Sequence, residues 1–388
     1  MSNRWWLMRR RLLALAACGA CHVAVAAEWA MQPTIQWYFD HDSNRQLTPV
    51  NEEADNAAWL TIDALLKRAT ETGEVDVHPL VEIQRFSGGS ALNSTNGSLQ
   101  LSAMNKGEIY SYSASAGYSD NSTLISELAN TGIVDASTRQ EAATASVTGS
   151  REFTERQRLD LQASYADVKY PNGEPVGLVG YRDPGISTTY AFAYSPQTTL
   201  SAIASGSRAT APEVGFESHD AGVRIAWAYI LSPTTNVSAS VGITRTNIES
   251  EEVSGSTWAL KSTHNSELSQ WSFSLTRDIV PSGFGLLIRR DELDLSVIRS
   301  VAPRLDATLS AQAAHNSDLV ASFTNDNRRY VTGAAGFNWH AAPQWVWSFT
   351  VRASESRIPT DVADLQVASG WQTVLTILWT PLPWTKSR

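Results

Sequence analysis

Residues 345–352 read Trp-Val-Trp-Ser-Phe-Thr-Val-Arg, and this stretch determines the class of fold. Every second position from Trp345 to Val351 is aromatic or aliphatic, and mostly polar residues alternate with them. Because successive side chains of a β-strand point to opposite faces, the pattern predicts a strand with one apolar face. The same alternation recurs along the chain, at 110–118, 190–194, 223–229, 271–275 and 371–379.

The second face of these segments distinguishes a soluble β-protein from a membrane barrel. It carries mainly Ser, Thr, Ala, Gln and Gly rather than many Lys and Glu. Aromatic residues at the segment ends are typical of a girdle at a membrane–water interface. Such segments satisfy their backbone hydrogen bonds in lipid only by closing into a barrel. The predicted girdle comprises Tyr110, Tyr118, Trp227, Trp271, Trp345, Trp371 and Trp379.

The alternating segments predict an all-β fold, a transmembrane antiparallel up-and-down β-barrel of about eighteen strands. The alternative is sixteen, because 256–264 is a poor strand. Short turns and longer polar connections, including 40–56, 119–139 and 209–217, alternate, as they do in outer-membrane barrels. The predicted strands are 30–39, 57–68, 74–86, 98–106, 108–118, 140–150, 157–169, 185–194, 198–208, 219–230, 235–247, 256–264, 267–278, 285–300, 304–314, 328–340, 344–354 and 369–380.

The N-terminus predicts export. Four arginines precede an apolar run from Leu12 to about Ala26, and small residues before Glu28 fit a cleavage site. We therefore expect a signal peptide at 1–27 and a single barrel at 28–388. Cleavage removes four positive charges and no acid, which lowers the formal net charge from −9 to −13. The alternative is lipidation of Cys18 after its own small-residue pattern.

Composition excludes several classes among the 388 residues. Fourteen tryptophans, 23 glycines and 15 prolines do not fit a collagen, a coiled coil or a disordered chain. Two cysteines exclude a disulfide-rich scaffold, and both precede the predicted cleavage site. The acidic balance argues against a nucleic-acid partner. Scattered histidines and the absence of a glycine-rich phosphate loop predict neither zinc nor a nucleotide cofactor, so no cofactor or metal is expected.

The polar face of each strand would line the interior, and a barrel of this size leaves an aqueous channel unless something fills it. Charges of both signs occur there, so the residues do not indicate strong ion selectivity. A long loop could narrow the pore, and 119–139 is the candidate by length. The predicted lumen-lining residues are Asp63, Lys67, Asp76, His78, Glu82, Asp160, Arg224, Gln270, Arg290, Glu292, Asp294 and Arg352.

Residues 38–44, Tyr-Phe-Asp-His-Asp-Ser-Asn, are followed by Leu-Thr-Pro at 47–49. They resemble the opening strand and loop of a family of porin-like outer-membrane β-barrels of proteobacteria. Shorter similarities lie at 120–124, 131–132, 167–170, 277 and 281–285. The resemblance implies an outer-membrane barrel, in some members associated with exopolysaccharide and protein-sorting gene clusters. It implies no catalytic or binding residues.

One motif suggests chemistry. His41, Ser43 and Asn44 match the His-x-Ser-Asn run of outer-membrane phospholipases and lipid A deacylases, in which the His activates the Ser. Arg45 replaces the usual glycine, those enzymes are smaller barrels, and the same His-x-Ser spacing recurs at His315. We therefore expect no enzyme, and these three residues are weak catalytic candidates only. A calcium site from Asp40, Asp42, Glu52, Glu53 and Asp55 is a second alternative to a solvated acidic loop.

These observations predict a porin-like channel or conduit for small solutes or envelope polysaccharide. A structural or partner-binding barrel without an open pore is the first alternative, and the lipid hydrolase is the second. The expected partners are the lipid bilayer with its lipopolysaccharide, the barrel-assembly machinery during insertion, and a polysaccharide or periplasmic partner.

Overall fold

A computed structural model describes residues 27–49, 52–88, 92–123, 138–173, 177–248, 251–281, 287–319, 328–359 and 365–387. The predicted signal peptide with Cys18, and most of loop 119–139, lie outside the described residues. The strands are β1 Glu28–Asp42, β2 Asp55–Ala69, β3 Gly73–Phe86, β4 Ser94–Lys106, β5 Tyr110–Ser122, β6 Arg139–Thr154, β7 Gln157–Lys169, β8 Tyr181–Ser195, β9 Thr198–Ala211, β10 Phe216–Ser232, β11 Thr235–Ile248, β12 Glu251–Asn265, β13 Ser269–Pro281, β14 Leu287–Ala302, β15 Leu305–Asp318, β16 Arg328–Ala342, β17 Trp345–Pro359, β18 Leu365–Trp379 and β19 Trp384–Ser387.

Each strand pairs antiparallel with its neighbours in sequence, and the sheet closes between its first and last members. The upper part of β1, from Ile35 to Asp42, pairs with β18. Its lower part, from Glu28 to Met31, pairs with β19. The interruption between the two partners contains Pro381 and Pro383, which have no backbone N–H to donate to a ladder. The result is the predicted closed barrel of eighteen strands with one short extra strand.

The apolar side chains of the strands lie mainly on the outer surface of the barrel rather than in a central core. Ile225 on β10 lies opposite Val241 on β11, and Val223 lies opposite Ile243. Ile225, Val241 and Ile243 are 66%, 65% and 66% exposed. Large apolar side chains this exposed over a contiguous surface are typical of contact with lipid or another partner. Within the described residues, no helix is long and apolar enough to cross a membrane.

The sixteen-strand alternative is wrong because β12 is a full strand. Fourteen consecutive residue pairs join it to β11, from Thr235 opposite His264 to Ile248 opposite Glu251. The prediction of a long loop at 209–217 is also wrong, since β9 and β10 pair up to Ala211 opposite Phe216. A four-residue turn, with Gly215 at φ 69°, connects them. The short turns lie at one end of the barrel and the longer loops lie at the other. The start of β1 and the end of β19 both lie at the short-turn end.

Candidate functional site

The interior face of the wall is identified by a cavity of about 690 Å³. Side chains from β1–β3 and β13–β18 line it, and nine successive strands of a closed ring share a cavity only on their concave side. Directly opposed residues of an antiparallel pair share a face, so the register extends this assignment around the ring. The twelve predicted lumen-lining residues all lie on this face: Asp63, Lys67, Asp76, His78, Glu82, Asp160, Arg224, Gln270, Arg290, Glu292, Asp294 and Arg352.

Many interior charges are paired along the wall. Lys67 Nζ lies 2.6 Å from Glu74 Oε1, and Arg290 contacts Glu292 at 3.1 Å. Glu82 has no cationic partner among the described residues, but it accepts hydrogen bonds from Gln84 at 2.6 Å and Asn96 at 3.1 Å. Charge-assisted hydrogen bonds of this kind compensate a carboxylate for lost water. The wall is therefore a connected polar network rather than a set of isolated charges.

The predicted girdle residues lie on the outer face. Trp227, Trp271, Trp345 and Trp379 lie near the short-turn ends of their strands, as does Tyr110. Tyr118 and Trp371 lie toward the long-loop ends of β5 and β18. Trp345 contacts Trp379 with ring centroids 6.1 Å apart. The aromatic residues thus form two levels on the outer surface, one toward each end of the barrel.

Residues 43–49 of the first loop fold into the interior. Arg45 is its anchor: the guanidinium lies 2.9 Å from Asp40 and 3.6 Å from Asp55. It also lies over the ring of Phe86, 4.9 Å from the centroid. Leu47 is 8% exposed and adopts a left-handed φ of 47°, which turns the chain back. The first loop is therefore an inward-folded loop among the described residues, whereas most of the predicted candidate, 119–139, lies outside them.

Aromatic and polar groups share the cavity beside this loop. Tyr38 and Trp59 stack with centroids 4.4 Å apart and ring planes 15° apart. The Trp59 indole N–H is buried and has no hydrogen-bond acceptor among the described residues. Glu82, Asp294, Gln312 and Arg352 line the same cavity. A ring face beside carboxylates, amides and a guanidinium can accommodate a small solute that has both hydroxyl groups and apolar surface.

The opposite side of the interior is narrowed by the end of β13. Pairing between β12 and β13 ends at Trp258 opposite Arg277, so residues 278–281 separate from β12 and remain paired only with β14. The Ile279 side chain lies against Gly255, where a Cβ would approach Ile279 Cδ1 to 2.9 Å. Arg224 on β10 binds Asp278 at 2.7 Å across the interior.

An apolar cluster secures this inward end. Leu287, Ala209 and Ile248 are buried together, and Phe216, Ile279 and Leu319 pack against them. Beneath it lies a cavity of about 250 Å³, which Asp183, Asp220, Asp278, Arg224 and several serines line. The sequence gives no clear signal of this feature, because residues 278–281 still look like the continuation of a strand.

The weak catalytic candidates are not assembled into a dyad. His41 lies on the outer face, where its Nδ1 bonds Asn56 Oδ1 at 2.9 Å. Ser43 Oγ accepts a hydrogen bond from the Trp371 backbone N–H at 2.9 Å. The Asn44 side-chain amide donates to the backbone oxygens of Thr48 and Ser369. The Ser43 and Asn44 side chains thus hold the first loop against the wall, whereas His41 joins β1 to β2 on the outer face.

The acidic residues of the first loop do not surround a vacant cation position. Asp40 and Asp55 both bind Arg45. Asp42 accepts the Asn44 backbone N–H at 2.9 Å. Across the described part of the chain, no three His, Cys, Asp or Glu side chains are grouped so that they could hold a metal ion.

Comparison with known proteins identifies the fold of the chain but no family to which it belongs. No family model and no curated protein matches the chain. Among solved structures, Acinetobacter baumannii OccAB2 matches with a TM-score of 0.50 and 11% identity, over 91% of this chain and 98% of that chain. Pseudomonas aeruginosa OccK5 (OpdH) matches with a TM-score of 0.48 and 11% identity, over 91% and 98%. OpdK with vanillate has the same TM-score and identity, over 92% and 99%. The similarity to OccAB2 supports the barrel fold alone.

Proposed function

We propose that the chain is an outer-membrane channel of the porin type, which passes small polar solutes. The observation that carries this proposal is an eighteen-strand closed barrel with a polar, charged interior and an apolar, aromatic outer face. Barrels of this strand number enclose an aqueous channel. The matched OccAB2, OccK5 and OpdK structures are consistent with this role, and OpdK is described as an outer membrane protein that was solved with vanillate.

The test is conductance of the refolded mature chain in planar bilayers. Folding is checked first by heat-modifiable migration in gel electrophoresis. We expect discrete current steps whose size rises with salt concentration. A folded barrel that gives no current over repeated insertions would contradict the proposal.

A closed barrel that binds a partner is the second candidate. Two features favour a closed barrel. The first loop and the end of β13 both occupy the interior near the long-loop end. A silent barrel that crosslinks to a periplasmic or surface protein would establish this role.

A polysaccharide conduit is the finer form of the channel proposal. The stacked Tyr38–Trp59 pair beside Glu82 and Gln84 offers the combination of ring faces and hydrogen-bonding groups that sugars need. Reversible block of the current by oligosaccharides, lost in Trp59→Ala and kept in the outward-facing control Trp227→Ala, would support it. Unaltered current at high oligosaccharide concentration would exclude it.

A further inference from the structure

The outer face carries a shallow groove where β1 and β2 approach the long-loop end. Its volume is about 630 Å³. The floor is Ala58, which is exposed and lies directly between Phe39 on β1 and Arg85 on β3. A small side chain between two large ones leaves a depression in a wall that is otherwise convex. We call this depression the outer groove. Other outward side chains that line it are His41, Asn56, Phe349, Thr373 and Leu375.

The register places the outer groove where polar rows of side chains give way to apolar rows. In the row nearest the long loops, Thr373 lies opposite His41, which lies opposite Asn56. The next row is apolar up to its last member and comprises Phe349, Leu375, Phe39, Ala58 and Arg85. The third row is apolar throughout and comprises Trp347, Ile377, Trp37, Leu60 and Ile83. A change from polar to apolar within two rows is typical of the level at which lipid headgroups meet acyl chains.

Trp371 supports the same level. It belongs to the outer aromatic residues at the long-loop end, and its ring lies 5.1 Å from the His41 ring, measured between centroids. Tryptophan rings on the surface of a membrane barrel settle at the membrane–water interface. The outer groove therefore opens at the headgroup level and extends from there into the apolar band. Because the longer loops of such barrels are extracellular, this level belongs to the outer leaflet.

Arg85 supplies the positive charge of the outer groove. Its side chain is exposed, and Nη1 donates to the backbone oxygens of Gln84 at 2.7 Å and Ser94 at 3.2 Å. Its other two guanidinium nitrogens bond no described residue, and no described carboxylate pairs with it. Asp40, which also borders the groove, belongs to the inner face and binds Arg45. The outer side of the groove is therefore complementary to an anion.

Arginines elsewhere at this end of the outer face are already neutralised. On β5–β12, each outward arginine near the long-loop end pairs with a carboxylate. The pairs are Arg139–Asp120, Arg182–Asp167, Arg208–Glu217 and Arg245–Glu252. An anionic headgroup would have to displace a carboxylate at those positions, whereas it would meet unused donors at Arg85.

The lower part of the outer groove requires an apolar occupant. It lies in the apolar band, where there is no water to fill a depression. An acyl chain seated on Ala58 gains close contacts with the Phe39 and Leu375 side chains, and such contacts are favourable only when the gap is filled. The combination of an apolar floor and a cationic rim matches a lipid at the junction of its headgroup and its chains.

We propose that the outer groove binds one phosphate-bearing lipid of the outer leaflet. An acyl chain packs on Ala58 beside Phe39, and Arg85 donates hydrogen bonds to a headgroup phosphate. Arginine is suited to this ligand because its planar donors match phosphate in a bidentate manner. The Asn56 amide in the polar row above offers a further donor to the headgroup. The inference rests on the proposed outer-membrane location but not on an open pore.

The test is retention of bisphosphorylated lipid A by the full mature chain in native mass spectrometry. Arg85→Gln removes the charge, and Ala58→Phe fills the groove. We expect Arg85→Gln to weaken retention about tenfold or more, because a charge-assisted hydrogen bond contributes on this scale. Ala58→Phe should weaken it as well, because its ring occupies the place of the chain. The wild type should retain dephosphorylated lipid A more weakly and the deacylated, phosphorylated disaccharide not at all.

Matched controls lie at the same end of the barrel on other strands. Ala143 on β6 also faces outward and lies between Tyr118 and Asp167, so Ala143→Phe adds the same ring where no arginine is opposite. Arg245→Gln removes an arginine that is paired with Glu252. Both controls should retain lipid A as the wild type does. Heat-modifiable migration confirms that each variant folds, and Arg85→Gln changes only an exposed side chain, so it tests the site even if Ala58→Phe does not fold.

Three outcomes would overturn the proposal. These are equal retention by Arg85→Gln and the wild type, an equal loss in either control, and equal binding of dephosphorylated lipid A. Displacement of lipid A by inorganic phosphate at a similar concentration would also overturn it, because it would identify a site for a free anion. The channel is tested separately by conductance, since the groove faces away from the lumen. A silent barrel that retains lipid A as described would contradict only the channel.

Discussion

At the residue scale, Arg45 controls whether the first loop occupies the interior. Its side chain is 10% exposed, and that of its partner Asp40 is fully buried. Removing one partner of a buried ion pair leaves an uncompensated charge, which costs on the order of 3 kcal/mol. We predict that Arg45→Ala releases the loop, lowers stability to urea and increases single-channel conductance.

The matched control for this variant is Arg85→Ala. Arg85 lies on the outer face of β3 and bonds the backbone oxygens of Gln84 and Ser94. It should leave the conductance unchanged. Equal conductance in Arg45→Ala and the wild type would show that the loop does not restrict the channel.

Ser43 provides a second prediction at this scale. Its hydroxyl is the acceptor for the Trp371 N–H, and its own N–H donates to the Trp371 backbone oxygen at 2.9 Å. Ser43→Ala should cost about 1 kcal/mol of stability through the lost hydrogen bond. It should leave phospholipid hydrolysis at the background level of the wild type. A measured lipase activity that this substitution abolishes would restore the hydrolase alternative.

The sequence predicts the face of the sheet on which a side chain lies better than it predicts the residues that this side chain contacts. The alternation places Glu82 and Asp294 on the interior face without any coordinates. It does not reveal that a loop from residues 43–49 reaches the same cavity, because loop conformation depends on contacts such as Arg45 with Asp55. Period-two patterning encodes orientation, whereas contacts between distant strands depend on barrel curvature.

At the element scale, one ion pair among the described residues, Arg224–Asp278, joins the inward end of β13 to β10. The Arg224 and Asp278 side chains are 31% and 46% exposed, so solvent screens their attraction and the pair contributes less than about 1 kcal/mol. We predict that Arg224→Gln and Asp278→Asn each speed amide hydrogen exchange at residues 278–280. The double variant should add little, because both remove the same contact.

Arg158→Gln is the control for this prediction. Arg158 pairs with Asp160 near the short-turn end of β7, away from β13. In Arg158→Gln, amide hydrogen exchange at residues 278–280 should not change. Fully additive effects of Arg224→Gln and Asp278→Asn would show that the apolar cluster alone holds the strand end.

The strands were predicted well where alternation is strong and poorly where it is weak. β12 is rich in Ser and Thr, yet it pairs along its whole length with β11 because barrel closure leaves no gap for a missing strand. The long loop expected at 209–217 is instead a short turn at 212–215. The polar residues beside this turn belong to β9 and β10, which extend beyond the apolar band. β19 was missed, because four residues are too few for a periodic signal.

At the scale of the whole molecule, the interior carries more unpaired acids than unpaired bases. Among the described interior residues, those without an ion-pair partner are the carboxylates Glu28, Asp42, Asp76, Glu82, Glu152, Asp183, Asp220 and Asp294 and the cations Lys106, Lys261 and Arg352. Rings of Asp and Glu favour cations in narrow pores. The excess of unpaired carboxylates therefore indicates a preference for cations, whereas the sequence alone did not indicate strong ion selectivity.

We predict a preference for cations, measured as the reversal potential in a KCl gradient. Glu82→Gln with Asp294→Asn should shift this potential toward zero, since both side chains line one cavity. The preference should weaken at high salt, because the screening length falls to about 3 Å at 1 M. An anion preference in the wild type would show that the cationic groups control permeation.

The seam between the first strand and the last two has a consequence for how the protein is made. Glu28 pairs with Ser387, so hydrogen bonds at the foot of β1 join the two ends of the described barrel. Contacts this distant in sequence form slowly. The edge of β1 that faces β18 and β19 must therefore wait, unpaired, until the last strands have been synthesised. An exposed strand edge is prone to pair with other chains, and protection of β1 during this delay is the step at which biogenesis of this barrel is most vulnerable.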